Sequence, residues 1–282
     1  MNNLIPKIPL ASWIDQFVDW LTSKFGGIFD GLATGLENIV NGIVTGLGFI
    51  PPILLAILIS LLAWWLTKKS IALFSLIGFL LIDYLGYWNA MLDTLALVLT
   101  SVIISVVVGI PIGIWASQKD TVRKVVTPIL DFMQTMPAFV YLLPAIFFFN
   151  IGVVPGVVAS VIFAMPPTIR LTILGIKQVP EDIIEATESF GSTTSQKLLK
   201  VQLPLATPTI MAGINQSIML ALSMVVIASM VGAPGLGEQV YRAVTQLKTG
   251  VGVEAGLAIV IVAIVLDRIT QNVGKKNQRG NL

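Results

Sequence analysis

The sequence contains no cysteine and no histidine among its 282 residues. Disulfides, thiolate nucleophiles, imidazole bases and Cys/His metal sites are all excluded at once, so most enzyme chemistries lose their usual reagents. Charge is scarce as well. Only 11% of residues are charged, against about 25% in a typical soluble domain. Meanwhile 55% are apolar and the mean hydropathy is +0.90. This is the composition of an integral membrane protein. Several apolar runs reach the roughly 17 to 25 residues that cross a hydrocarbon core as a helix, and the short alternating strands of a barrel are not seen. The first 30 residues show no basic stretch, apolar core and small-residue cleavage site in that order, which predicts no removable signal peptide.

Apolar runs predict spans at about 49–66, 71–87, 92–116, 126–148, 153–169, 207–231 and 253–270, seven in all. Between the fifth and sixth lies a polar insert. If that insert is cytoplasmic, its side of the membrane holds Lys68, Lys69, Lys119, Arg123, Lys124, Arg170, Lys177, Lys197, Lys200, Arg268, Lys275, Lys276 and Arg279. The other side keeps Lys7, Lys24, Arg242 and Lys248. Such a bias follows the positive-inside rule and, with an odd number of spans, puts the N-terminus outside and the C-terminus inside.

Residues 11–48 read differently from the spans. Trp13, Phe17, Trp20 and Leu21 recur at helical spacing among Asp15, Asp19 and Lys24, and Leu32, Leu36, Ile39, Ile43 and Leu47 continue the stripe. That pattern predicts an amphipathic segment lying in the membrane interface as an anchor or scaffold, with a weak extra span as the alternative. The predicted organisation is therefore an all-α, polytopic helical bundle. An extracytoplasmic amphipathic segment (1–48) is followed by accessory helices (49–89), a core (90–270) that includes a cytoplasmic loop (177–206), and a basic tail (271–282).

The insert "EATESFGSTTSQKLLKVQLP" (185–204) has helix punctuation. Pro180 suits a first helical position, and Glu181 and Asp182 place negative charge at the positive end of the dipole. Gly191 supplies a stop. Thr193 with Gln196 is a capping box for a second short helix, which Pro204 is expected to close. Two short helices joined at Gly191 would form a cytoplasmic knob. A connection this long is functional or disordered, and the cap signals argue for order. Ile183, Ile184, Phe190, Leu198, Leu199 and Val201 suggest that the knob packs on something; an ordinary hairpin capping the bundle is the plain alternative.

Glu185, Ala186, Thr187, three further residues, Gly191, nine further residues, then Val201, Gln202, Leu203 and Pro204 resemble the EAA signature of bacterial ABC-importer permeases, EAA-x3-G-x9-I-x-LP. Thr187 stands where that family often has alanine, and Val201 where it has isoleucine. "DFMQTMPAFVYLLP" (131–144) and "GAPGLG" (232–237) resemble its glycine betaine and proline-betaine branch. The resemblance implies a type I (MetI-like) permease core from about residue 90 onward and a homodimer of the chain. It also implies two copies of a separate ATPase subunit, a lipid-anchored extracellular binding protein and an osmolyte as cargo. Under it, the knob is a coupling helix carrying Glu185, Ala186, Thr187, Gly191, Val201, Leu203 and Pro204, and the protein sits in the bacterial cytoplasmic membrane.

An ATP site needs a glycine-rich loop with Lys and Ser or Thr. "GAPGLGEQV" has no G-K-[ST], so the chain is expected to bind no cofactor, leaving ATP and magnesium to the partner, and to bind no nucleic acid. On residues alone GAPGLG reads as a tight turn before a short amphipathic helix at 236–248.

Polar residues inside spans are functional hypotheses by default. Asp131, Gln134 and Thr135 share a face at i, i+3, i+4 spacing with Tyr141 beyond them, and Pro137 and Pro144 would distort the helix and free carbonyls toward a cavity. This face is the candidate translocation path. Asp131 reads equally as a helix-end carboxylate paired with Arg123, Lys124 or Lys200. Asn215 and Gln216, beside Ser217, form a second polar cluster that suits substrate contact or interhelical hydrogen bonding alike. No aromatic cage for a quaternary ammonium group is evident. Two other classes stay open: an ion-coupled transporter or channel, and a membrane enzyme relying on Asp83, Asp93, Asp131 and Asp267.

Overall fold

A computed structural model of the chain describes residues 9–279, with side chains described over 9–272. Lys7 and the side chains of the basic tail from 273 onward lie outside the described residues. All regular structure among the described residues is helical: α1 (Leu10–Gly48), α2 (Pro52–Leu66), α3 (Lys69–Tyr84), α4 (Trp88–Gln118), α5 (Asp120–Thr135), α6 (Ala138–Phe149), α7 (Val153–Lys177), α8 (Glu181–Ser189), α9 (Thr194–Lys197), α10 (Leu203–Ser229), α11 (Leu236–Thr245) and α12 (Thr249–Arg279). A π-helical turn (Leu198–Gln202) lies between α9 and α10.

The all-α expectation is met, but seven straight spans are not found among the described residues. Four helices are long and apolar enough to cross a bilayer alone: α4, α7, α12 and a continuous rod Thr194–Ser229 made of α9, the π turn and α10. Helices α2 and α3 have 15 and 16 residues. At 1.5 Å per residue they rise about 22 to 24 Å, short of a hydrocarbon core of about 30 Å. The segment expected to cross at 126–148 is two helices, α5 and α6, meeting at 100°, and α1 meets α2 at 99°. Counting each bent pair as one span gives up to six.

The α5–α6 break has a local and a global cause. Met136 precedes Pro137 and is extended (ψ 134°), as the proline ring demands of its neighbour. Proline alone does not decide it, because Pro111, Pro144, Pro166 and Pro167 sit inside α4, α6 and α7. Composition changes at the joint: α5 carries Asp120, Arg123, Lys124 and Asp131, whereas α6 carries no charge. Four charges in hydrocarbon are costly, so the chain turns where the charged helix gives way to the apolar one.

The amphipathic N-terminal segment is one 39-residue helix. Val40 and the neighbouring Leu36, Ile43 and Leu47 pack on the core, mainly at α4, and Phe29 stacks on Phe148 of α6 with centroids 4.6 Å apart. Trp13, Ile14, Phe17 and Trp20 stay exposed.

The core is the packing of α4, α7 and α10, brought close by small residues as membrane helices require. A Cβ at Gly113 of α4 would stand 2.6 Å from Thr172 Cβ on α7, and one at Gly213 of α10 only 3.0 Å from the Pro167 carbonyl oxygen. Hydroxyls complete the contact: Thr168 and Ser217 are 2.8 Å apart and Ser217 donates to the Ala164 carbonyl at 2.5 Å. At the opposite end from the insert, GAPGLG is a tight turn leading into amphipathic α11, as the sequence implies.

Pro204 does not close the second insert helix. The helix runs from Thr194 through Pro204 to Ser229. Proline lacks the N–H for an i−4 bond and clashes with that carbonyl. Here the preceding turn is π-helical, with wider i→i+5 bonding that leaves the proline room.

Candidate functional site

The insert folds as a capped helical elbow. Helix α8 begins after Pro180, which is its N-cap rather than its first helical residue, and Glu181 and Asp182 occupy its first turn. At its end the Ser192 N–H donates to the Thr187 carbonyl (3.3 Å) and the Gly191 N–H to the Glu188 carbonyl (2.8 Å). This pair of bonds is the Schellman stop, which needs a left-handed residue; Gly191 has φ +75°. The four-residue step from Thr187 to Gly191 in the motif is thus the step from the third-last helical residue to the left-handed cap. Thr193 and Gln196 form the predicted capping box, the Gln196 N–H donating to Thr193 Oγ1 at 3.3 Å and the Thr193 N–H to Gln196 Oε1 at 2.9 Å. Lys197 bridges back to Glu188, locking α9 against α8.

The two halves of the motif face different ways. No residue of α8 is buried. Glu185 and Ala186 are exposed and Thr187 half-buried, while Phe190 is 90% and Leu199 60% exposed. Phe190 thus leaves an aromatic ring uncovered at the apex of the elbow. Val201 and Leu203 are half-buried and Pro204 exposed, where the rod meets the bundle. There Leu198 and Leu203 pack on Ile176, Ala206 and Ile210. The foot of the elbow is tied to α4 and α5: Gln118 Nε2 donates to Gln202 Oε1 at 3.3 Å, and Lys177 reaches Asp120 at 3.0 Å. The hydrogen bond from Lys177, with the charge of Arg123, holds the exposed Asp120 carboxyl below its ordinary range.

The polar residues expected on one span are divided by the α5–α6 bend. Asp131, Gln134 and Thr135 are exposed near the end of α5 and Pro137 is exposed at the joint, whereas Tyr141 is buried in α6. Asp131 pairs with Arg170 of α7, not with Arg123, Lys124 or Lys200. Tyr141 donates its hydroxyl to the Met133 carbonyl. That carbonyl belongs to the last turn of α5, and the residue four ahead that would donate to it is Pro137, which has no N–H. Tyr141 therefore pins the bend. We expect Tyr141→Phe, which leaves this acceptor unpaired, to destabilise the protein by about 1–3 kcal/mol; thermal unfolding of the purified chain measures it.

Asn215 serves the contact of α10 with α12. Its amide donates to Asp267 Oδ1 (2.8 Å) and its carbonyl accepts from Thr270 (2.8 Å), with Gln271 also donating to Asp267. Gln216, one residue on, is exposed.

Residues 109–279 match the family described as binding-protein-dependent transport system inner membrane component. The chain belongs to this family. This permease is 80% identical over 278 residues, 98% of its own length and 99% of the relative's, to the glycine betaine transport system permease protein OpuAB of Bacillus subtilis strain 168. It is 56% identical to the glycine betaine/carnitine transport permease protein GbuB of Listeria monocytogenes, over 96% of this chain and 98% of that one. It is 48% identical to the glycine betaine/proline betaine transport system permease protein ProW of Escherichia coli K12, over 97% of this chain and 78% of that one. Among solved structures, a chain of the MetNI methionine ABC transporter in an inward facing conformation superposes with a TM-score of 0.61 at 22% identity. The match covers 66% of the permease and 93% of that chain, and it establishes the shared fold.

The roles of five residues in the site escaped sequence reasoning. Arg170 reads as one more positive charge at a span end, yet it is the partner of Asp131. Gln202 falls on a free position of the motif, so nothing marked it as a tie to Gln118. Asp267, Thr270 and Gln271 sit at i, i+3, i+4 spacing at the end of a span, a usable signal for a polar helix contact.

Proposed function

We propose that this permease is the membrane-spanning subunit of an ATP-driven importer that carries glycine betaine, or a closely related osmoprotectant, into the cell. The observation that carries the reading is 80% identity across 98% of the chain to a Bacillus permease named for glycine betaine transport. Two copies of the permease, two ATPase subunits on the cytoplasmic side and a lipid-anchored binding protein outside make up the assembly. The N-terminus lies outside and the C-terminus inside. Residues 1–48 form an interfacial scaffold, 49–89 accessory helices and 90–270 the translocating core, followed by a cytoplasmic tail.

The exposed elbow is the coupling element. Phe190 and Leu199 offer apolar area to an ATPase groove, and Glu185 and Glu188 set register against basic groups at its rim. Glu185, Ala186, Thr187 and Gly191 make the docking surface, while Val201, Leu203 and Pro204 fix the elbow to α10. A displacement imposed at the elbow passes along the rod Thr194–Ser229 and, through Gln202–Gln118 and Lys177–Asp120, to α4 and α5. Movement of α5 reaches the Asp131–Arg170 pair, which borders the proposed path with Gln134, Thr135, Pro137, Tyr141, Asn215 and Gln216. Capture at high affinity belongs to the binding protein, and ATP and magnesium to the ATPase.

The test is radiolabelled glycine betaine uptake into proteoliposomes holding the permease, its ATPase and its binding protein. Uptake should require all three and internal ATP. Uptake that persists without the ATPase would instead identify an ion-coupled transporter or channel. Within the same assay Asp131→Asn should lower uptake by about two- to fivefold, the scale of one exposed ion pair, while ATPase co-purification stays unchanged. Loss of co-purification would remove Asp131 from the path.

A further inference from the structure

A groove of about 410 Å³ runs between α2 and α3. Its walls are one stripe of each helix at i, i+4, i+7 spacing: Ile57, Leu61 and Trp64 from α2, and Lys69, Leu73 and Leu76 from α3. Their opposite faces pack inward, with Ser75, Gly78, Phe79 and Ile82 of α3 buried. The groove itself opens outward, Leu61 being 50% and Leu73 59% exposed. Polarity changes along its length. The end near Ile57 and Leu76 is apolar apart from Ser60, whose hydroxyl is spent on the Ala56 carbonyl, and about 10 Å farther on, at the rise of an α-helix, the groove ends at the α2–α3 turn beside Trp64, Lys68 and Lys69. The ammonium of Lys69 lies 5.9 Å from the centre of the Trp64 ring.

The two lysines have no counter-charge. No carboxylate occurs in the sequence between residues 50 and 82, and neither lysine joins an ion pair among the described residues. An apolar channel that ends in two unpaired cations and an indole matches the amphipathic profile of one lipid class. The short helices reinforce this, because a hairpin of 15 and 16 residues draws the headgroup layer toward its turn, where lysine ammoniums reach phosphates.

We propose that the α2–α3 groove binds an anionic phospholipid, its acyl chain along Ile57, Leu61, Leu73 and Leu76 and its headgroup phosphate on Lys68 and Lys69. A zwitterionic lipid fits the channel equally but offers the lysines no net charge. Two lysines near an anionic headgroup correspond to a preference of roughly tenfold or more.

The experiment uses the full-length permease in phosphatidylcholine nanodiscs doped with small fractions of brominated phosphatidylglycerol or brominated phosphatidylcholine, reading tryptophan quenching. We expect phosphatidylglycerol to quench at a mole fraction roughly tenfold lower, and Trp64→Phe to remove that responsive component. Lys68→Gln/Lys69→Gln should bring the two lipids level. Ala72→Phe, which fills the groove and keeps both lysines, should do the same. Equal quenching by both lipids in the unaltered protein overturns the proposal. So does a phosphatidylglycerol preference that survives either the lysine or the groove-filling variant in a monodisperse sample, or one that Trp64→Phe leaves untouched. None of these readouts depends on what the permease transports.

Discussion

Gly191→Glu is expected to abolish osmolyte uptake and to strip the ATPase subunit from the purified permease, while the chain still inserts and stays monodisperse. Two effects combine to give this result. The backbone at Gly191 is left-handed, with φ +75°, and a side chain there costs about 1–2 kcal/mol, roughly five- to thirtyfold in the population of correctly presented elbows. Around the missing Cβ there is open space, with nothing within 4 Å, so a glutamate meets no resistance from this chain and projects into the space an ATPase would fill. Gly191→Asn separates the two effects, since asparagine tolerates the left-handed region and is smaller. It should keep a measurable fraction of ATPase attachment. Co-purification is the decisive readout, and a Gly191→Glu permease that holds its ATPase as the unaltered protein does would remove the elbow from coupling.

A large structural loss is expected far from the elbow, from Gly237→Ala. A Cβ on Gly237 would stand 2.3 Å from the Val225 carbonyl oxygen and 2.6 Å from its carbon. Both are backbone atoms of α10, so the clash cannot be relieved by turning a side chain. Nor can α11 back away easily. Leu236 beside it is fully buried, and its N–H donates to Thr94 Oγ1 of α4 at 2.8 Å. Overpacking of this kind costs about 1–3 kcal/mol, and here it strikes the junction of α4, α10 and α11. Thermal unfolding should fall by several degrees, with loss of the monodisperse peak. Gly256→Ala is the control: nothing lies within 4 Å of its Cβ position, and replacing a mid-helix glycine there should be neutral or stabilising by about 0.5–1 kcal/mol. Equal melting of the two variants would mean that α11 is not seated against α10 as described.

Much of the elbow was legible because its signals are local. Gly191, the Thr193–Gln196 capping box and the acidic first turn of α8 depend on bonds three to five residues apart, and their spacing is written in the chain. The same holds for the tight turn before α11 and for the membrane character of the whole. Pro204 misled for an instructive reason: its rule is also local, but the π turn at Leu198–Gln202 removes the clash, and no residue pattern announces that turn.

By itself, the sequence determined the medium, the helical class and the capped elbow of the insert, since each follows from composition or short-range bonding. Tertiary structure alone decided that 126–148 bends at Met136, that Tyr141 spends its hydroxyl on Met133, that Asp131 meets Arg170 and that Asn215 meets Asp267. Those outcomes depend on which helix packs against which, and between residues 39 or 52 positions apart side-chain partners are selected by the approach of whole helices, which no local period encodes.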